Sequence, residues 1–264
     1  MTKRATTTGY EDGSRLTAWV DDDAWRARLG RDRERAERNQ TAAQRAITEA
    51  LLARARVGGC EAFALTGSTA RNRRTALSDL GYHVVGSRPR FEDLADEVDM
   101  YATDARRFWE KLRCGNDLVQ WTLRFGCILV DDSQIFRDAL QAIATENIWP
   151  NPAKKFERVS DHRRHAQRLI EMGDRDAAQD QVRAALSSAA RALLLDAHCF
   201  PLSRSELPDQ LVAIEQDGLA DALRAAIYER PSLDDLRDAV RALDGAVGTR
   251  LACPVPCGAP RIGA

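Results

Sequence analysis

The sequence carries no surplus of either charge: 39 lysines and arginines stand against 40 aspartates and glutamates in 264 residues. A chain so balanced has no global electrostatic reason to coat a nucleic acid or to lie on an anionic membrane, so any contact with nucleic acid must come from a local site. Long apolar runs are also missing. The opening "MTKRATTTGYEDGSRLTAW" contains no apolar core of signal-peptide length, and no segment approaches the roughly 18 to 20 apolar residues that a membrane span requires. The expectation is a cytoplasmic protein with no membrane partner. Close cysteine pairs are scarce. Cys60, Cys114, Cys127 and Cys199 are scattered through apolar or loop contexts and, kept reduced in a cytosol, read mostly as small core residues. Only Cys253 and Cys257, in "CPVPCGAP", lie near each other, and they lack the second ligand pair of a zinc site.

What is present suffices for one good core or two modest ones, with 44% hydrophobic and 30% charged residues. Residues 22 to 56 are helix formers with acidic residues at the start and arginines near the end, which predicts a long helix interrupted near Gly30 and stopped by Gly58 and Gly59. Three strand candidates follow: "CEAFALTG", "DLGYHVVG" and "DEVDMYATD". Alternation in the third places Glu97, Asp99 and Tyr101 on one face and Val98, Met100 and Ala102 on the other. "ARRFWEKLR" and "DLVQWTLRFG" have helical spacing, the latter with Leu118, Trp121, Thr122 and Phe125 in one stripe, and "CILVDD" reads as an edge strand. After the connector "NIWPNPAKKF" the pattern is helical to about Gly245. The expected organisation is an N-terminal extension and long helix over 1–57, a small mixed-sheet domain over 58–150, a helical bundle over 151–247 and an irregular tail over 248–264.

One stretch concentrates chemistry. In "GSTARNRRTALSDLGYHVV", Gly67 and Ser68 open a turn after an apolar strand, where a backbone without a side chain in the way can approach an anion and donate N–H groups and a hydroxyl to phosphate oxygens. Arg71, Arg73 and Arg74 add positive charge. Asp79 stands at the start of the next strand and Asp99 lies within the one after. If those strands are neighbours, the two carboxylates converge on a divalent ion whose other ligands are phosphate and water oxygens. The plainer alternative stays open: an ordinary turn, a strand entry and a solvated strand residue.

With those residues in place, "ALTGSTARNRRTALSDLGYHV" followed by "EVDMYATD" resembles the nucleotidyltransferase superfamily that includes DNA polymerase β and the kanamycin nucleotidyltransferases. Thr66, Gly67, Ser68, Ser78, Asp79 and Asp99 follow its pattern in order and spacing. The resemblance, over about residues 50 to 135, implies an α+β fold: a small mixed β-sheet nucleotidyltransferase domain flanked by helices, then an all-α bundle. It implies transfer of a nucleoside monophosphate from an NTP such as ATP to a hydroxyl acceptor, with Mg²⁺ or Mn²⁺ as the cofactor. Gly67, Ser68 and Arg71 would hold the nucleotide, Asp79 and Asp99 would be catalytic, and Asp79, Asp99 and Glu97 would ligate the metal. The acceptor would be a small molecule or a protein rather than a long nucleic acid, and a homodimer is left open. The chain departs from the pattern at Gly81, where a second carboxylate belongs. His83 shares that face but stands too far along the strand to replace it, and Glu97 is the better substitute. A non-catalytic, nucleotide-binding or regulatory protein on the same fold is therefore the alternative.

A further alternative comes from "RALLLDAH". Arg191 and His198 lie seven apart in a helical segment, about 10.5 Å along one face, similar to the Arg and His pair of HEPN ribonucleases, although the position after Arg191 is Ala192. His162 and His165, at helical spacing, lack a third ligand and read as surface residues.

Overall fold

The computed structural model describes residues 21–74, 78–90 and 98–251, and in its last helix the side chains to residue 248. Glu97, the expected extension before residue 21, and Cys253 and Cys257 lie outside the described residues. The chain divides into two compact units, Met1–Pro150 and Asn151–Ala264. The protein is α+β: a small mixed sheet with helices, then a run of helices.

The first unit begins with α1 (Asp22–Asn39) and α2 (Ala42–Val57). Gly30 does not interrupt the helix. The break falls at Gln40 and Thr41, because Thr41 and Gln44 form a reciprocal capping box that starts a new helix. Both helices precede a four-stranded sheet of order β3-β2-β1-β4, made of β1 (Cys60–Thr66), β2 (Leu80–Gly86), β3 (Val98–Thr103) and β4 (Cys127–Asp131). Only the β2–β3 pair is parallel. A one-turn helix α3 (Gly67–Ala70) follows β1 directly. Beyond β3 come α4 (Ala105–Arg113) and α5 (Asp117–Phe125), and after β4 comes α6 (Ile135–Thr145).

Strand alternation sorts the core into two layers. Ala62, Ala64, Val85 and Ile128 face Phe108, Leu112, Val119 and Phe136 of the later helices. Phe63, Leu65, Tyr82, Val84 and Met100 face Leu51 and Ala55 of α2. Of the expected α5 stripe, Trp121 and Thr122 are buried and Phe125 is half-buried, but Leu118 is 42% exposed, and Val119 and Leu123 complete the buried face instead. The cysteine reading also needs correction, since Cys127 is buried but Cys60 and Cys199 are half-buried and Cys114 is exposed.

Helix α1 buries Trp25, Arg28, Asp32 and Ala36, a stripe at helical spacing that includes an ion pair. Arg28 Nη2 donates to Leu123 O at 2.6 Å and Arg35 Nη2 to Gly126 O at 2.6 Å, so two arginines satisfy carbonyls that the end of α5 leaves without helical partners. Asp32 receives Arg28 Nε at 3.3 Å, Arg35 Nη2 at 2.9 Å and the backbone N–H of Ile128 at 3.0 Å. Because β4 is a sheet edge, that last bond occupies an amide which would otherwise invite another strand. At the far end of β4, Asp131 accepts from the N–H groups of Phe136 and Arg137 and fixes the start of α6, while burial pushes its carboxyl up to about 6.

In the second unit, α7 (Ala153–Met172) and α8 (Arg175–Asp196) form a tight hairpin around Gly173, whose φ of 78° needs a glycine, and Asp174, which caps α8. A short 3-10 turn, α9 (Leu207–Ala213), α10 (Asp217–Tyr228) and α11 (Leu233–Leu251) follow. Ala178, Ala185, Ala189 and Ala190 are buried on α8, and these small side chains let neighbouring helices approach closely. None of the helices among the described residues is long and apolar enough to cross a membrane.

Removing Asp32 would strand a buried guanidinium and an edge amide together. Asp32→Ala is expected to lower unfolding stability by about 3 kcal/mol, whereas Asp23→Ala, which breaks the exposed pair with Arg26, should change it by under about 1 kcal/mol. Urea unfolding of the two variants checks the contrast.

Candidate active site

Backbone register brings the sequence-predicted residues together at one end of the sheet. Gly81 on β2 pairs with Thr66 on β1 and with Asp99 on β3, so Thr66, Gly81 and Asp99 form a row across three strands on one face. Neighbouring strands lie about 4.8 Å apart, which makes the row roughly 10 Å wide. Gly67 and Ser68 continue directly from Thr66, and Asp79 lies one residue before β2 begins. Asp79 and Asp99 are exposed, and neither makes a hydrogen bond or ion pair with another described residue.

The turn that carries Gly67 and Ser68 is pinned from behind. Gly67 has φ 70°, a left-handed conformation natural to glycine. Asn39 Nδ2 donates to Ala70 O at 3.1 Å, and the N–H of Arg73 returns to Ser68 O at 2.8 Å. Arg71 is held with its guanidinium over the Phe125 ring, 5.0 Å from the centroid. Arg74 Nη2 reaches Ser78 O at 3.5 Å and so ties the turn to the residue before Asp79.

At Gly81 the structure adds what spacing could not supply. A Cβ at that position would lie 3.0 Å from Thr66 Oγ1. Thr66 carries a hydroxyl and turns it toward the side-chain position that Gly81 leaves empty. The sequence held both residues, but only the register of β1 against β2 reveals that they face each other.

His83 lies two residues further along β2 and belongs to the core. It is 1% exposed, its ring lies against Tyr101, Phe108 and Phe136, and its Nδ1 is 2.9 Å from Thr122 Oγ1. Thr122 gives its own hydrogen to Leu118 O at 3.1 Å, which makes His83 Nδ1 the donor and leaves Nε2 unprotonated, with no partner. Burial, with a smaller contribution from the Lys111 charge, lowers its pKa to about 3. His83 is accordingly no stand-in for the missing ligand.

The donors at the row are carboxylate and hydroxyl oxygens, the kind that hard Mg²⁺ prefers. Among the described residues, however, no group of three or more His, Cys, Asp and Glu is placed to hold a metal ion. Asp79 and Asp99 are the two carboxylates that the described residues bring to this end of the sheet. The other candidates separate from this region. Helix α8 ends at Asp196, so His198 does not share a helix face with Arg191; it is exposed, in a left-handed turn with φ 54°. His162 Nδ1 is 2.9 Å from Gln181 Oε1 on the neighbouring helix, and His165 is exposed.

No family model matches the sequence, and no curated protein matches it. Among solved structures, the chain is similar to a nucleotidyltransferase-like protein from Exiguobacterium sibiricum 255-15, at 14% identity and a TM-score of 0.42 over 72% of this chain and 69% of that one.

Two stability measurements test the geometry. Gly81→Ala should be better tolerated in a Thr66→Ala background than in the natural chain, with a coupling of about 0.5 to 1 kcal/mol in a double-mutant cycle; additive effects would contradict the contact. His83 titrates near 6.5 when unfolded and near 3 when folded. Its contribution is therefore fully present above pH 6.5 and is lost as the pH falls toward 3. Over that window His83→Asn should lose stability less steeply than the natural chain, by up to about 1.4 kcal/mol per pH unit.

Proposed function

We propose that this chain binds a nucleoside triphosphate at the Gly67–Ser68 turn and transfers its nucleoside monophosphate to a hydroxyl acceptor. The observation that carries the reading is the row of Thr66, Gly81 and Asp99 beside that turn, which brings the Gly67–Ser68 backbone and the Asp99 carboxylate to one sheet end. Gly67 and Ser68 hold the β and γ phosphates through backbone N–H groups and the Ser68 hydroxyl, with Arg71 alongside. Asp79, Asp99 and Glu97 are the residues that would hold Mg²⁺ or Mn²⁺. When bound, such an ion supplies charge neutralisation to the phosphates and lowers the pKa of a coordinated hydroxyl. Asp99 accepts the acceptor's proton as its oxygen bonds to the α-phosphorus. The bond from that phosphorus to the bridging oxygen breaks, and pyrophosphate leaves with the bonding pair. The acceptor is a small molecule or a protein, in keeping with the near-neutral chain.

Gly81 specifically favours a second reading on the same site, nucleotide binding without turnover. The two share a first test. Calorimetric titration of ATP and the other triphosphates should give binding that Mg²⁺ or Mn²⁺ strengthens at least about tenfold, with that strengthening lost in Asp79→Ala and in Asp99→Ala. Pyrophosphate release in an acceptor screen then separates transfer from binding alone. Absence of binding by every triphosphate with either metal would remove both readings.

A further inference from the structure

Thr66 is a polar residue with 8% exposure, and its hydroxyl has no hydrogen-bond partner among the described residues. The residue is largely buried, yet its hydroxyl oxygen is not among the buried unpartnered atoms, so it stays accessible to a ligand atom that could bond it. The hydroxyl points across β1 to β2, toward a residue with no side chain, and the oxygen stands 3.0 Å from where a Cβ would begin. Asp99 occupies the third position of the same row and the Gly67–Ser68 turn is contiguous with Thr66. Around the space at Gly81 therefore stand the Thr66 hydroxyl, Asp99 of the neighbouring strand and the Gly67–Ser68 turn.

We infer, on the reading of this site as a triphosphate site, that Thr66 and Gly81 are a matched pair in which the Thr66 hydroxyl donates directly to a nucleotide phosphate oxygen through the space that Gly81 leaves open. A hydroxyl is both donor and acceptor, whereas an ionised carboxylate only accepts. A carboxylate at position 81 would repel a phosphate unless a cation lay between them; a threonine hydroxyl bonds it with no cation. The pair thus gives the site an affinity for the triphosphate that is independent of metal and adds to whatever Asp79 and Asp99 contribute through a bound ion. Gly81 serves the pair because a Cβ there would press on Thr66 Oγ1 at 3.0 Å and narrow the path to it. Thr66 is a binding residue in this account and takes no part in bond making.

The experiment is calorimetry with ATP on the full chain, in EDTA and in MgCl₂, using the natural protein, Thr66→Val, Thr66→Ser and Gly81→Asp. Valine keeps the branched shape and removes only the hydroxyl, and thermal melting of each variant confirms that it is folded. Thr66→Val should weaken ATP binding about tenfold by the same factor in EDTA and in MgCl₂, as loss of one hydrogen bond to a charged group predicts. Thr66→Ser should retain affinity, and Gly81→Asp should abolish binding in EDTA while recovering part of it in MgCl₂. Unchanged affinity in Thr66→Val beside clear binding by the natural protein overturns this inference and leaves the triphosphate site standing. A loss confined to MgCl₂ also overturns it, because the hydroxyl would then act through the ion. No binding by the natural protein in either solution overturns the inference and the site together.

Discussion

Asp32 is the group on which the first unit's architecture depends. Its two oxygens receive Arg28, Arg35 and the Ile128 amide, and through the arginines it is tied to the carbonyls of Leu123 and Gly126. Helix α1 is thereby held by one carboxylate to a segment some ninety residues later, the end of α5 and the edge strand β4 that follows it. An ion pair this buried is weak evidence for net stability, because desolvation opposes the Coulomb gain. Its value lies in specificity: the arginines fit those carbonyls only when α1 lies along the β4 edge.

The consequences reach the candidate site by short steps. Arg35 also donates to Cys127 Sγ at 3.1 Å, and the Cys127 thiol lies 3.7 Å from Ala70 O, the oxygen that Asn39 bonds from the end of α1. Phe125, between the two arginine-bound carbonyls, is the ring over which Arg71 rests. On the opposite face of the sheet, Gln40, Thr48 and Tyr82 form a buried hydrogen-bonded thread at 2.6 and 2.7 Å that fixes α2 against β2. Both strands that carry the Thr66–Gly81 contact are therefore braced from outside the site. Preorganisation of this kind matters where a phosphate is held by backbone groups, since those groups cannot move independently to find it.

The sequence made the sheet legible because its strands are short apolar runs ended by Gly67 and Gly86, and because β3 alternates between acidic or aromatic and apolar residues. Asp79, Asp99, Gly67 and Ser68 could be picked out for the same local reason: their meaning lies in spacing along the chain. What escaped was set by pairing between distant segments. The helix break at Thr41 was outweighed by a more conspicuous glycine at 30, although the Thr41–Gln44 capping box is a local signal that could have been read. Arg28 and Asp32 look like ordinary solvent-facing charges at i and i+4, and only their place on the same stripe as Trp25 and Ala36 hints at burial. The helix stops at Asp196, short of His198, although "LLLDAH" has no glycine or proline to mark the end.

The pairing of Thr66 with Gly81 bears on which of the two readings of the site the chemistry favours. Ground-state binding of a triphosphate gains from exchanging a carboxylate for a hydroxyl, since one repulsive charge is replaced by a donor. Turnover gains from the opposite choice, because carboxylates anchor the cations that meet the charge developing between the α-phosphorus and the departing pyrophosphate. On the proposed reading, a single position thus sets binding and transfer against each other, and glycine at 81 favours binding. Transfer is retained only so far as Asp79 and Asp99, helped by Glu97, hold an ion without the carboxylate that Gly81 lacks. Along β2 itself no other side chain takes that place, since the next inward position on that face of the strand is the neutral, buried His83.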